Sequence, residues 1–298
     1  MAASPLNTKS NFHARSNSLP SRPHPLILQC NEHLEWLKAS HETSSSSSLL
    51  SHKLGGLQEL HECVEKLVQL PFTQEALLHE PQKNCMDELL EGSLRLIDVC
   101  TSAKDSLLHT KECMRELQSI MRRRKGGDDG IIVEAKKFLT SRKVVKKAIS
   151  KALGNLKAIA KTANFTSNIR DQQTMALVSL LKDVEVVTLS IFESLLHFIC
   201  GSTQAKSGNW SLVSKLIHTK RIGCSSQAQD ESEFSQVDAA LNFFVLHVTS
   251  KSSSDNISNL PNHLMKLESR IQDFEEGLEF LFRRMIKIRV ALLNILNH

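Results

Sequence analysis

Apolar side chains recur at helical spacing along most of the chain, and the sharpest run lies near its C-terminal end. Leu264, Leu267, Ile271, Phe274, Leu278, Leu281, Met285, Ile288, Leu292 and Ile295 are separated by three and four residues in strict alternation. An unbroken series of a and d positions places one apolar seam along a single helix, as in coiled coils and helical bundles. At the rise of an α-helix this element is expected to reach about 57 Å. Two partners compete for the seam. One is the chain's own long helices, expected at 85–124 and 169–200; the other is a second copy in a homodimeric coiled coil.

The same period predicts helices elsewhere. Ile27, Leu34 and Leu37, with Trp36 beside them, mark a helix over 26–39. Leu57, Leu60, Val64, Leu67 and Val68 mark another over 49–70, which Pro71 ends. Leu90, Ile97, Cys100, Leu107, Met114, Leu117 and Met121 carry the 85–124 helix. Gly126, Gly127, Asp128, Asp129 and Gly130 read as a turn in which either aspartate can cap a following helix over 131–160. The most apolar helix is expected over 169–200, with shorter ones over 207–218 and 234–249. Loops are expected near 40–48, where five serines run together, and near 223–233 and 250–258. Residues 1–25 hold four of the seven prolines, and no acidic residue precedes Glu32. They read as a disordered tail, or as a targeting segment for a plastid or mitochondrion. The expected organisation is this tail followed by one helical domain over 26–298.

Composition supports that reading. Gly and Pro together make 18 of 298 residues, about half the usual share, which nearly excludes a turn-rich β-sandwich or barrel. The fold class is therefore all-α: an elongated helical bundle with a long, coiled-coil-like C-terminal helix. Tyrosine is absent and aromatics are 5%, which argues against a base-stacking platform and against nucleic acid as a partner. Seven cysteines stand singly, without a C-x-x-C pair, and read as reduced thiols of an intracellular protein. With no secretory signal and no apolar run of membrane-spanning length, the expected location is cytoplasmic. A plastid, or the periphery of a membrane, is the alternative.

Tests for catalytic chemistry fail. His109 and Cys113 stand four apart but have no matching second pair. The phosphate-cradling glycine motifs are missing, as are the nucleophile elbow and the paired Glu-x-x-His motifs of di-metal bundles. The expectation is a protein that is not an enzyme and uses no cofactor or metal.

Charge is more informative. Residues 122–161 hold thirteen Lys and Arg against three acids, +10 in a chain whose net charge is +5. Arg122, Arg123, Arg124, Lys136, Lys137, Arg142, Lys143, Lys146, Lys147 and Lys151 form the candidate basic patch. Phe138, Leu139, Val145, Ile149, Leu153 and Leu156 form an apolar stripe, largely away from the lysines. Such a helix is either a solvated face balanced by acidic neighbours or a surface for anionic lipid or an acidic protein. In the tail, Arg15, Ser16, Ser18 and Pro20 match the R-S-x-pS-x-P pattern that 14-3-3 proteins read once Ser18 is phosphorylated.

Several stretches together carry a family likeness. They are Phe12-His13-Ala14-Arg15-Ser16-Asn17-Ser18-Leu19-Pro20, Leu70-Pro71-Phe72-Thr73-Gln74 and Asp87-Glu88-Leu89-Leu90-Glu91-Gly92-Ser93-Leu94-Arg95. Glu276-Gly277-Leu278-Glu279-Phe280-Leu281-Phe282-Arg283-Arg284 and Arg289-Val290-Ala291-Leu292-Leu293-Asn294-Ile295-Leu296 close the set. Over nearly its whole length the chain resembles the plant BYPASS-related family. That resemblance implies a plant protein linked to root and shoot development, with no established catalytic residues to carry over. The expected role is that of a non-enzymatic regulatory or scaffold protein with the tail motif around Ser18 as its switch; a peripheral membrane adaptor using the 122–161 basic patch is the alternative.

Overall fold

The computed structural model describes residues 24–40, 47–78, 83–123, 127–162, 172–201, 232–247 and 254–297. They form α1 (Pro25–Ser40), α2 (Ser47–Val68), α3 (Pro71–Leu78), α4 (Lys83–Arg123), α5 (Gly127–Thr162), α6 (Gln172–Cys200), α7 (Glu233–His247) and α8 (Ser254–Asn297). No strand occurs among the described residues. None of their helices is long and apolar enough to cross a membrane. Nearly all of the expected tail, the expected helix over 207–218 and most of the 223–233 segment lie outside the described residues.

Four long helices form a square in which each side is a packed pair: α2 with α8, α8 with α4, α4 with α6, and α6 with α2. Polar contacts fix their directions. Lys104 Nζ lies 2.6 Å from Glu279 Oε2, and Gln118 Nε2 donates to Glu268 at 3.1 Å, so α4 and α8 are antiparallel. Arg270 bonds Ser51, while Arg284 reaches Glu62 and Glu65, so α2 and α8 run parallel. Glu88 pairs with Lys182 and Arg95 with Glu185, which makes α4 and α6 parallel as well. Outside the square, α1 covers the α2–α6 side, α5 packs mainly on α4, and α7 spans α8 and α5.

All ten residues of the C-terminal seam are buried. Their main neighbours are α4 and α2, with α7 added near one end. The expected partner at 169–200 is met at one main point, where Phe198 of α6 stands edge-on to Phe274 at 5.7 Å and to Phe234 of α7 at 6.0 Å. Because the chain's own helices cover the seam, it is not an open face for a second copy.

Several boundaries differ from expectation. The seam helix is 44 residues, about 66 Å, because residues 254–258 are helical rather than loop. Residues 127–130 are likewise the first turn of α5 and not a separate turn, although Gly and Asp disfavour helix interiors. Helical first turns tolerate such residues, since their N–H groups lack intrahelical acceptors anyway. The serine run is shorter as a linker than expected, for α2 already begins at Ser47. Pro71 both ends α2 and opens the short α3, since the first turn needs no N–H at that position. Gly201 ends α6 in the left-handed region, at φ 72°, where its N–H reaches Phe198 O at 3.1 Å. Its carbonyl accepts from Ser235 Oγ at 3.1 Å, which fastens the start of α7 to the end of α6. Gly56 leaves room for Trp36 of α1, whose ring would lie 2.4 Å from an added Cβ.

His61 sits in the α2–α6 contact, buried, with Nε2 2.9 Å from Thr188 Oγ1. The threonine gives its own proton to Val184 O at 2.7 Å, so His61 Nε2 donates and Nδ1 holds a bare lone pair. Nδ1 has no hydrogen-bond partner among the described residues. Desolvation lowers the imidazole pKa to about 4. The unfolded chain takes up this proton near the ordinary value of 6.5, whereas the folded chain resists it until about 4. Stability from this group is therefore complete above that ordinary value and is lost as pH falls through the window below it. The loss approaches about 3 kcal/mol. Urea unfolding across the window should show it as a falling midpoint, and His61→Gln should flatten the slope; identical slopes for the two proteins would refute the assignment.

Candidate interaction surface

The basic segment folds as α5, and its two faces have opposite environments. Phe138, Val145, Ile149 and Leu153 are buried in the bundle. Lys136, Lys143, Lys147 and Lys151, spaced by seven, four and four residues, are exposed on the other side. None of these four makes a salt bridge within the described residues. The row spans about 22 Å along the helix. Lys137 is also exposed but pairs with Glu134 at 3.0 Å, and that hydrogen bond raises its pKa. Arg122 and Arg123 are exposed at the end of α4, which runs antiparallel to α5. Arg124 lies outside the described residues.

Arg142 departs from the expected patch. It is only 2% exposed, one of the largest fully buried side chains, and faces the core. Its Nε lies 3.2 Å from Asp238 Oδ1 on α7, and Nη2 donates to Ile199 O at the end of α6 at 2.7 Å. Nη1 points at Thr110 Oγ1 of α4 at 3.4 Å, and the guanidinium covers the Phe234 ring at 5.1 Å. One side chain thus joins four helices. The physical reason is geometric: Phe138, Arg142, Val145 and Ile149 follow one another by four, three and four, so Arg142 stands on the apolar stripe. A guanidinium offers five donors in a planar fork and keeps its charge when buried, which suits it to this position better than lysine. Lys146, half-exposed, completes the pairing at 2.8 Å from Asp238 Oδ2, so it too is engaged inward. The patch therefore divides into a solvent-facing lysine row and an internal Arg142–Asp238–Lys146 cluster.

The remaining expected features fall elsewhere. Arg15, Ser16, Ser18 and Pro20 lie outside the described residues. Cys113, one turn on from His109, has its Sγ 3.1 Å from Ser141 Oγ of α5. No group of three or more metal-ligating side chains occurs among the described residues. An open trough of about 720 Å³ runs along α4 and α8 beside Lys104, Leu108, Glu275, Glu279, Phe280 and Arg283. Lys104 and Arg283 both bond Glu279 and hold that carboxyl below its usual range.

This arrangement defines an all-α bundle with a packed apolar interior and a cationic outer helix. A family model described as Protein BPS1 matches residues 53–295, from within α2 to the end of α8. The chain belongs to the Protein BPS1 family, in agreement with the BYPASS-related likeness of its sequence. No curated protein and no solved structure matches the chain.

Removing the counter-charge of Arg142 tests the division of the patch. Asp238→Ala leaves a buried guanidinium without its carboxylate and should cost about 3–5 kcal/mol in chemical unfolding. Lys147→Ala, on the exposed row, should stay within about 0.5 kcal/mol of the parent. Equal effects of the two substitutions would contradict the assignment of Arg142 to the interior.

Proposed function

We propose that the protein is a non-enzymatic regulatory or scaffold protein of plant root and shoot development. Membership of the BPS1 family supports the developmental setting. The observation that carries the scaffold reading is the use of the interior. The apolar seam is buried and the central charges are paired, so partners would meet the outer surface and the N-terminal segment. In this reading phosphorylated Ser18, flanked by Arg15 and Pro20, docks a 14-3-3 protein through charge-assisted bonds to its arginine cluster.

A second reading, an adaptor at an anionic membrane, is favoured by one specific feature. The outward lysines of α5 form a straight row without acidic partners among the described residues. Each lysine near such a surface contributes about 1 kcal/mol, screened within a Debye length. The buried apolar stripe of α5 is unavailable for insertion, so the attachment would be electrostatic and sensitive to salt.

Affinity capture from plant cells, comparing the parent with Ser18→Ala, tests the first reading: 14-3-3 should be lost with the substitution. An unchanged set of captured proteins would remove the phosphoserine switch. Co-sedimentation with phosphatidylserine-containing vesicles tests the second. Lys143→Glu combined with Lys147→Glu should lower vesicle partitioning by about 30-fold or more, with a steep fall in binding as salt rises. Binding that is absent, or indifferent to salt, would overturn the adaptor.

A further inference from the structure

Two of the singly spaced cysteines meet in the fold. Cys30 of α1 and Cys63 of α2, 33 residues apart, have their Sγ atoms 3.0 Å from one another. Both are buried, and Cys63 Sγ also lies 3.4 Å from Leu26 O in the first turn of α1. The hydrogen bonds of Cys100 and Cys113 go instead to Leu278 O and Ser141 Oγ. The contact joins a peripheral helix to the central square: α1 rests mainly on α2 and α6, and its inward face is Cys30, Leu34 and Leu37.

We propose that Cys30 and Cys63 are a reversible oxidation site, with a small hydroperoxide as oxidant, whose disulfide clamps α1 onto α2. The two sulfurs need approach by only about 1 Å to reach bonding distance. The chemistry balances in two steps. The Cys63 thiolate attacks one oxygen of the peroxide, the O–O bond breaks, and the leaving oxygen departs with a proton as alcohol or water. Cys63 is then a sulfenic acid. Cys30 sulfur attacks Cys63 sulfur, the S–OH bond breaks, and the hydroxyl leaves as water with the Cys30 proton. Two thiols are oxidised and one peroxide is reduced by two electrons.

The two cysteines have unequal roles in this scheme. In the closed fold the Cys30 S–H directed at Cys63 lowers the Cys63 thiol pKa against the effect of burial, and raises that of Cys30; once α1 opens, Lys66, one turn further along α2, remains beside Cys63. Access comes through opening of α1, a helix at the edge of the bundle, where local unfolding needs less free energy than unfolding of the core. Oxidation then removes that opening. The reduced protein can release α1, whereas the oxidised protein holds that helix to α2.

The test uses the full chain with hydrogen peroxide as oxidant and a phosphine as reductant. Oxidation should remove two hydrogens from the intact mass and yield a proteolytic peptide pair linked through Cys30 and Cys63. Backbone amide exchange along α1 should slow by about tenfold or more, and the reductant should reverse both changes. Cys63→Ala should abolish both, and Cys100→Ala neither. The peptide mapping requires only the parent protein, so it stands even where a variant folds poorly. Six or more thiols still alkylatable after oxidation, or links confined to other cysteines, would overturn the site. A Cys30–Cys63 link without slower exchange in α1 would overturn the clamp.

Discussion

Everything in the bundle is arranged around the need to cover one seam from several sides. Ten apolar side chains on α8 lose water only if other helices lie along most of its length, and no single neighbour is placed to do that. The chain meets the requirement with α2 running alongside in the same direction and α4 in the opposite one, and α7 adds cover near one end. Polar residues flanking the seam set the register. Lys104, Lys111 and Gln118 of α4 meet Glu279, Glu275 and Glu268 in reverse order, so a slip of one turn would separate all three contacts together. Partly exposed pairs of this kind add modest stability individually, and their value lies in excluding alternative alignments.

The Arg142 cluster meets a second requirement, holding together the end of the bundle where α4, α5, α6 and α7 converge. Replacing buried ions by matched apolar groups is often neutral for stability, so the cluster is better understood as a device for alignment. A guanidinium with acceptors from three other helices is satisfied in only one arrangement of them. It also explains how a segment with a strongly positive sequence lies snugly against a core. The inward positive charge has its own acid in Asp238, and Lys136, Lys143, Lys147 and Lys151 are turned outward.

The parts of this structure legible in the sequence are those written in local periodicity. The three-and-four spacing of the seam located α8 and its buried face, and Phe138, Val145 and Ile149 oriented α5 correctly. What periodicity does not record is the partner. Nothing in the local sequence of α7 announces that Asp238 meets Arg142 from 96 residues away, or that Cys30 meets Cys63. Arg142 did leave a signal, because it occupies an apolar-stripe position. Its charge grouped it with the neighbouring lysines, although register separates them. Helix starts were misread for a related reason: glycine, aspartate and serine disfavour helix interiors yet are accepted in a first turn, where capping and solvent satisfy the backbone.

The parallel pairing of α2 with α8 has a consequence for how the chain reaches its fold. The two helices are neighbours in space, yet 185 residues separate the end of one from the start of the other. At ordinary rates of protein synthesis, on the order of 10–40 s pass between them. During that interval α2 and α4 have emerged with their inward leucines uncovered, and the square lacks one corner. Chaperones that shield apolar helix faces have their natural window here, before the last helix arrives and closes the bundle.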